Sequence, residues 1–159
     1  MPGGQYIQMT NIDTLIKAKE LQLLADIGFI AGSRGLHRHA NVIFDAIEAM
    51  RPKQEISFLG KAIVQILAGH PEAAVEGLAK APATPATQAF YGIGLVQLGD
   101  TRKGREILER IAKTATDTPF AKLAKEALSD LDSRVAVYAN TRAIPANKAN
   151  EFDPMRNMA

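Results

Sequence analysis

The three histidines are the natural place to look for chemistry. His37 and His39 stand two apart in Gly35-Leu36-His37-Arg38-His39-Ala40, and His70 precedes Pro71. A short histidine cluster can hold a transition metal through its ring nitrogens. Residues two apart on a helix, however, point about 200° away from each other, so His37 and His39 do not converge on one ion. His70 has no supporting carboxylate pattern, and the expectation is no metal site. Without cysteine, thiolate nucleophiles, disulfides and Cys-based zinc sites are excluded. Gly92-Ile93-Gly94 would suit a phosphate-cradling loop only after a strand, and it lies inside a helical pattern. No nucleophile elbow or paired-carboxylate signature occurs, and Asp130 and Asp132 read as a solvated helix face. The basic run Thr101-Arg102-Lys103-Gly104-Arg105 is followed by Glu106 and Glu109 on the same helix, which argues against a nucleic-acid patch. The expectation is a protein that is not an enzyme and takes no cofactor.

Composition points the same way. The 159 residues carry 19 Lys+Arg against 17 Asp+Glu, a net charge of +2 that provides no electrostatic footprint for nucleic acid. Hydrophobic residues make up 47%, a globular proportion at a length that suits one domain. Aromatic residues are only 6% and Trp is absent, whereas alanine occurs 26 times, so the core must be aliphatic and built from closely approaching helices. The start, Met1-Pro2-Gly3-Gly4-Gln5-Tyr6, lacks the basic and apolar regions of a signal peptide. Apolar runs such as Ala62-Ile63-Val64-Gln65-Ile66-Leu67-Ala68 fall far below the ~20 residues needed to cross a bilayer. A cytoplasmic protein without membrane insertion is expected.

What must position any functional surface is a repeat. Leu24, Ile27 and Gly28 are followed by Gly35, Ala40, Phe44, Ile47 and Pro52. Phe58 and Ala62 are followed by Gly69, Ala74, Leu78 and Ala81, and Tyr91 and Gly92 by Gly99, Gly104, Leu108 and Ile111. Each time a small residue (Gly28, Ala62, Gly92) precedes another (Ala40, Ala74, Gly104) by 12 positions, with a glycine 7 after the first. Small residues on facing antiparallel helices let the axes approach, and the intervening glycine supplies the positive-φ turn. The interval from Gly28 to Ala62 is 34 residues, the tetratricopeptide period, and from Ala62 to Gly92 it is 30, shortened at Ala81-Pro82-Ala83-Thr84-Pro85.

The pattern predicts a leader helix from about residue 11, then helices over about 19–33, 36–50, 55–67, 71–80, 85–98 and 101–115. A final helix begins at Thr118-Pro119 and runs to about 138 as a cap. The expected architecture is all-α: a right-handed superhelical solenoid of about three helix pairs plus a C-terminal capping helix. Residues 1–10 are expected as a flexible leader, 11–138 as the domain, and 139–159 as a tail that is mobile or ordered by a partner. In this register the first helix of each pair lines a concave groove. The groove positions are Ala25 and Phe29, then Leu59, Ile63 and Ile66, then Ala89, Ile93 and Val96. They are apolar, with only Lys61 nearby, which suits an apolar or amphipathic helix rather than a peptide carboxylate. The same side chains could instead serve wholly as packing between helices.

Leu23-Leu24-Ala25-Asp26-Ile27-Gly28, continuing through Gly35, His37, Ala40, Ile43 and Phe44, resembles the opening of the tetratricopeptide chaperones of bacterial type III secretion. It is most similar to the group that holds the needle subunit before export. Leu67-Ala68-Gly69, Pro71, Ala74 and Leu98-Gly99-Asp100 match more general tetratricopeptide turns, and the resemblance covers about residues 21–131. It implies a chaperone that buries the amphipathic helix of a secreted needle-type subunit in its groove, often with a small helical co-chaperone. The leader and tail are longer than a needle chaperone requires, which keeps a translocator chaperone as the alternative. A general scaffold joining two proteins is the other reading. Whether the free protein is a homodimer is left open by the sequence.

Overall fold

The computed structural model describes residues 16–142, with side chains as far as Ala136. Among the described residues there are seven helices and no strand: α1 Ala18–Ser33, α2 His37–Met50, α3 Glu55–Leu67, α4 Pro71–Ala79, α5 Pro85–Gln97, α6 Thr101–Thr114 and α7 Pro119–Arg142. The all-α expectation holds. Boundaries agree with the sequence pattern to within a residue or two, except that α7 runs on to Arg142, through residues assigned above to the tail. The expected leader helix, the flexible leader and the rest of the tail lie outside the described residues.

The starts and stops have local causes. Prolines occupy the first turn of α4 and α5, where the missing N–H has no intrahelical partner to lose. The Thr84 hydroxyl accepts from the Thr87 N–H (3.2 Å), and Asp100 from that of Lys103 (3.2 Å). The Thr118 hydroxyl accepts from the Ala121 N–H at 3.3 Å, so α5, α6 and α7 all begin on a side-chain cap. At the other ends Gly35, Gly69 and Gly99 adopt φ of 79°, 81° and 91°. Beyond Gly35 the Leu36 N–H returns to the Ala31 carbonyl (2.9 Å), and beyond Gly69 the His70 N–H returns to that of Gln65 (2.8 Å). This is the Schellman closure that favours glycine, and it reverses the chain sharply enough for the next helix to pack back.

Each helix packs on its successor, and in addition α1 packs on α3, α3 on α5, and α5 on α7. Small residues make this possible. All six residues of the predicted ladder are buried, from Gly28 and Ala40 to Gly92 and Gly104. At Gly104 an added Cβ would stand 2.7 Å from the Gly92 carbonyl oxygen, so α5 and α6 are nearly in backbone contact. The α1–α2 pair differs from the expected register. Ala40 sits opposite Gly32 rather than Gly28, because the Phe44 ring fills the space beside Gly28. That ring is fully buried and is flanked on its other side by Gly60 of α3.

Candidate partner-binding groove

The row of side chains predicted to line a groove comes from α1, α3 and α5, which lie successively against one another. Its members differ in depth. Phe29, Leu59, Ile63, Ile66, Ile93 and Val96 are half-buried, each presenting part of its surface to solvent. Ala25 and Ala89 are completely buried in the cores below, which removes them as partner-contact residues. Their short side chains lie under the neighbouring helix instead of reaching the surface. Phe29 rests on Phe44 with ring centroids 5.0 Å apart and planes tilted by 56°, a favourable edge-inclined geometry. Ile66 packs on Ala62, Ala74 and Leu78, while Ile93 and Val96 pack on Ala89 and Leu108. Phe29, Ile66, Ile93 and Val96 are therefore anchored on core side chains.

At its C-terminal end the row opens into a cavity of about 160 Å³ between α5 and α7. Ile93, Val96, Ala127 and Leu131 line it, with Gln97, Asp130 and Arg134 exposed beside them. Ala127 and Leu131 were not singled out from sequence, where α7 was read as a cap with Asp130 on its solvated face. The signal was present in the apolar spacing Leu123, Ala127, Leu131, whose i, i+4 steps mark one face. Also unforeseen was the polar knot that holds the starts of α3 and α5 together. The Thr84 hydroxyl donates to Glu55 Oε1 (2.5 Å), and the hydroxyl of fully buried Thr87 donates to the Pro82 carbonyl (2.5 Å). The Thr84 N–H in turn donates to the Thr87 hydroxyl at 3.0 Å. The residues read as a shortened linker thus form a rigid clip that sets the α3–α5 spacing.

Lys61 is not available as a cationic clamp. Its ammonium bridges Asp45 (2.7 Å) and Glu48 of α2. Burial alone would lower its pKa, but the hydrogen bonds to both carboxylates and their charges outweigh that and hold it above the ordinary 10.5. The basic run at the start of α6 is similarly engaged. Lys103 lies over the Tyr91 ring at 5.8 Å, and Arg105 pairs with Asp132 (2.5 Å) and more loosely with Glu109 (3.8 Å). Asp132 therefore ties α7 to α6 rather than simply facing solvent. His39 and His70 are exposed, and His37 is half-buried. Among the described residues no three His, Cys, Asp or Glu side chains gather as a metal site, and no helix is long and apolar enough to cross a membrane. Gly92 and Gly94 are buried inside α5, so their backbone N–H groups belong to the helix and not to a phosphate loop. Comparison with protein-family profiles, with curated proteins and with solved structures returns no match for this chain.

Proposed function

We propose that the protein is a non-enzymatic binding module, a superhelical stack of tetratricopeptide-like pairs that shields an apolar helical segment of another protein in the cytoplasm. The observation that carries this reading is the set of half-buried apolar side chains Phe29, Leu59, Ile63, Ile66, Ile93 and Val96, distributed over α1, α3 and α5, which lie successively against one another, and ending at the α5–α7 cavity. Such a row is poor surface for a free protein and good surface for an amphipathic helix. Carboxylate recognition is disfavoured because Lys61 is already neutralised by two acids of its own chain. The partner class follows from the resemblance of residues 21–131 to type III secretion chaperones: a needle-type subunit, whose self-assembling helix must be kept from polymerising before export. Burial of ~600 Å² of apolar area would contribute roughly 15 kcal/mol gross. Association and ordering costs offset most of it, which leaves binding tight yet releasable.

The test is co-expression with the small helical proteins encoded beside its gene, followed by size-exclusion chromatography of the complex. Capture of a needle-type subunit that is lost in Ile63→Glu and in Ile93→Glu, with helix content unchanged, supports the reading. Capture that survives both substitutions overturns the groove. Selective capture of a large translocator protein instead favours the translocator-chaperone alternative, and a neighbourhood free of secretion genes favours a general scaffold.

A further inference from the structure

The α5–α7 cavity is walled by apolar side chains and rimmed by polar groups that the described fold does not use. Leu108 and Leu131, both buried, line it together with half-buried Ile93, Val96 and Ala127. Gln97, Asp130 and Arg134 stand exposed at its edge, and neither Asp130 nor Arg134 makes an ion pair among the described residues. The nearby acid Asp132 differs, since Arg105 already holds it. The volume of about 160 Å³ suits a single ring. An apolar cavity of roughly 150 Å³ in another protein takes up benzene. Left unfilled, such a hole forfeits the dispersion contacts of its lining.

The chain itself carries a ring within reach. α7 contributes Ala127, Asp130, Leu131 and Arg134 to the cavity and ends at Arg142, after which residues 143–159 follow. Phe152 is the one aromatic residue among them. From Asp130 to Arg142 the helix runs 12 residues, about 18 Å. The 10 residues from Arg142 to Phe152 can span up to about 33 Å, which covers that return with chain to spare for a reversal. Pro145 opposes continuation of the helix just where the reversal is needed. The charges match as well: Glu151 and Asp153 flank Phe152 and suit Arg134, while Arg156 suits Asp130. Residues 1–15, by contrast, join the fold at α1, which packs on α2 and α3. We propose that the C-terminal segment docks on its own chain, with Phe152 in the α5–α7 cavity and its flanking acids at Arg134. The docking does not rest on what the groove binds. Where the groove reading holds, an incoming helix must displace the segment from the end of the row.

Methyl NMR of the full chain, with no partner present, tests it. A ring in the cavity shifts the methyl resonances of Ile93, Val96 and Leu131. Phe152→Ala should move these and leave unchanged those of Ile47 and Val64, which lie in the core of α1, α2 and α3. Phe152→Trp supplies a second reading, because the chain has no other tryptophan. Its quenching by acrylamide should be several-fold weaker than in a peptide of residues 146–159 carrying the same substitution, at every protein concentration. Ala127→Glu in the cavity wall and Arg134→Glu at its exposed rim should each restore quenching, the second at unchanged helix content. Glu151→Lys together with Asp153→Lys should reverse the effect of Arg134→Glu. Cavity methyls indifferent to Phe152→Ala, or a tryptophan as open to acrylamide as in the peptide, overturn the proposal. Protection that vanishes on dilution overturns it too, since the ring then belongs to a second copy. If the methyls ignore Phe152→Ala while Ile63→Glu still abolishes partner capture, the docking falls and the groove stands.

Discussion

Replacing Gly60 by alanine tests the packing on which the groove rests. Helix propensity by itself favours the change by about 1 kcal/mol, since alanine loses less backbone entropy in a helix. The surroundings oppose it. The new Cβ would stand 2.5 Å from Phe44 Cζ and nearer still to Cδ1 and Cε1. The ring cannot swing away, because it is completely buried and its far edge already lies 2.9 Å from where a Cβ on Gly28 would be. Either α3 moves off α2 or the ring leaves its rotamer, and overpacking of this kind costs roughly 1–3 kcal/mol, here at or above the upper end. Net destabilisation of about 2 kcal/mol is expected in urea unfolding followed at 222 nm. Gly77→Ala is the control, because nothing lies within 4 Å of its added Cβ, and it should stabilise by roughly 0.5–1 kcal/mol. Shrinking the ring should relieve the clash: Gly60→Ala combined with Phe44→Leu should show a favourable coupling of at least ~1 kcal/mol. If Gly60→Ala is as stable as the parent, or the double-mutant cycle shows no coupling, the account of α1, α2 and α3 closing on one ring is wrong. The same ring supports Phe29, so Gly60→Ala should also disturb the N-terminal end of the groove.

Two further outcomes follow from polar contacts. Thr87→Val keeps the shape but removes the hydroxyl that donates to Pro82 and accepts from the Thr84 N–H; denaturant unfolding should show a loss of about 1–3 kcal/mol. Lys61 titrates above its ordinary pKa in the folded protein, so its contribution is full below pH 10.5 and disappears as pH rises through the higher folded value. The stability difference between the parent and Lys61→Met should therefore be flat near neutrality, about 1 kcal/mol or less for so exposed a pair, and shrink above pH 10.5. A difference that grows with alkalinity would contradict the assigned Asp45 and Glu48 contacts.

Much of the fold was legible because its punctuation is local. Gly35, Gly69 and Gly99 take the positive φ that their positions demand, and Thr84, Asp100 and Thr118 cap the helices that follow them. Such signals depend on residues within one turn of chain, which is why helix limits could be read to within a residue or two. The 12-residue step between small residues likewise located the buried contacts, with one slip where Phe44 displaced the expected Gly28–Ala40 pairing onto Gly32. Depth was not legible. A helical wheel assigns Ala25 and Phe29 to one face, but whether a side chain there stays in water depends on its length and on which helix lies over it.

The one-dimensional chain thus determined the helices, their turns, the small-residue approach points and the aliphatic character of one face, because each follows from φ preference, capping or period. Tertiary structure alone decided which of those faces remain open. Gly60 has meaning only beside a ring 16 positions earlier, and Lys61 is a neutralised strut only because Asp45 and Glu48 meet it across the α2–α3 contact. The cavity at Ile93 likewise exists only where α7 falls against α5. Burial is a property of neighbours, and these neighbours are brought together by packing between helices rather than by adjacency in the chain.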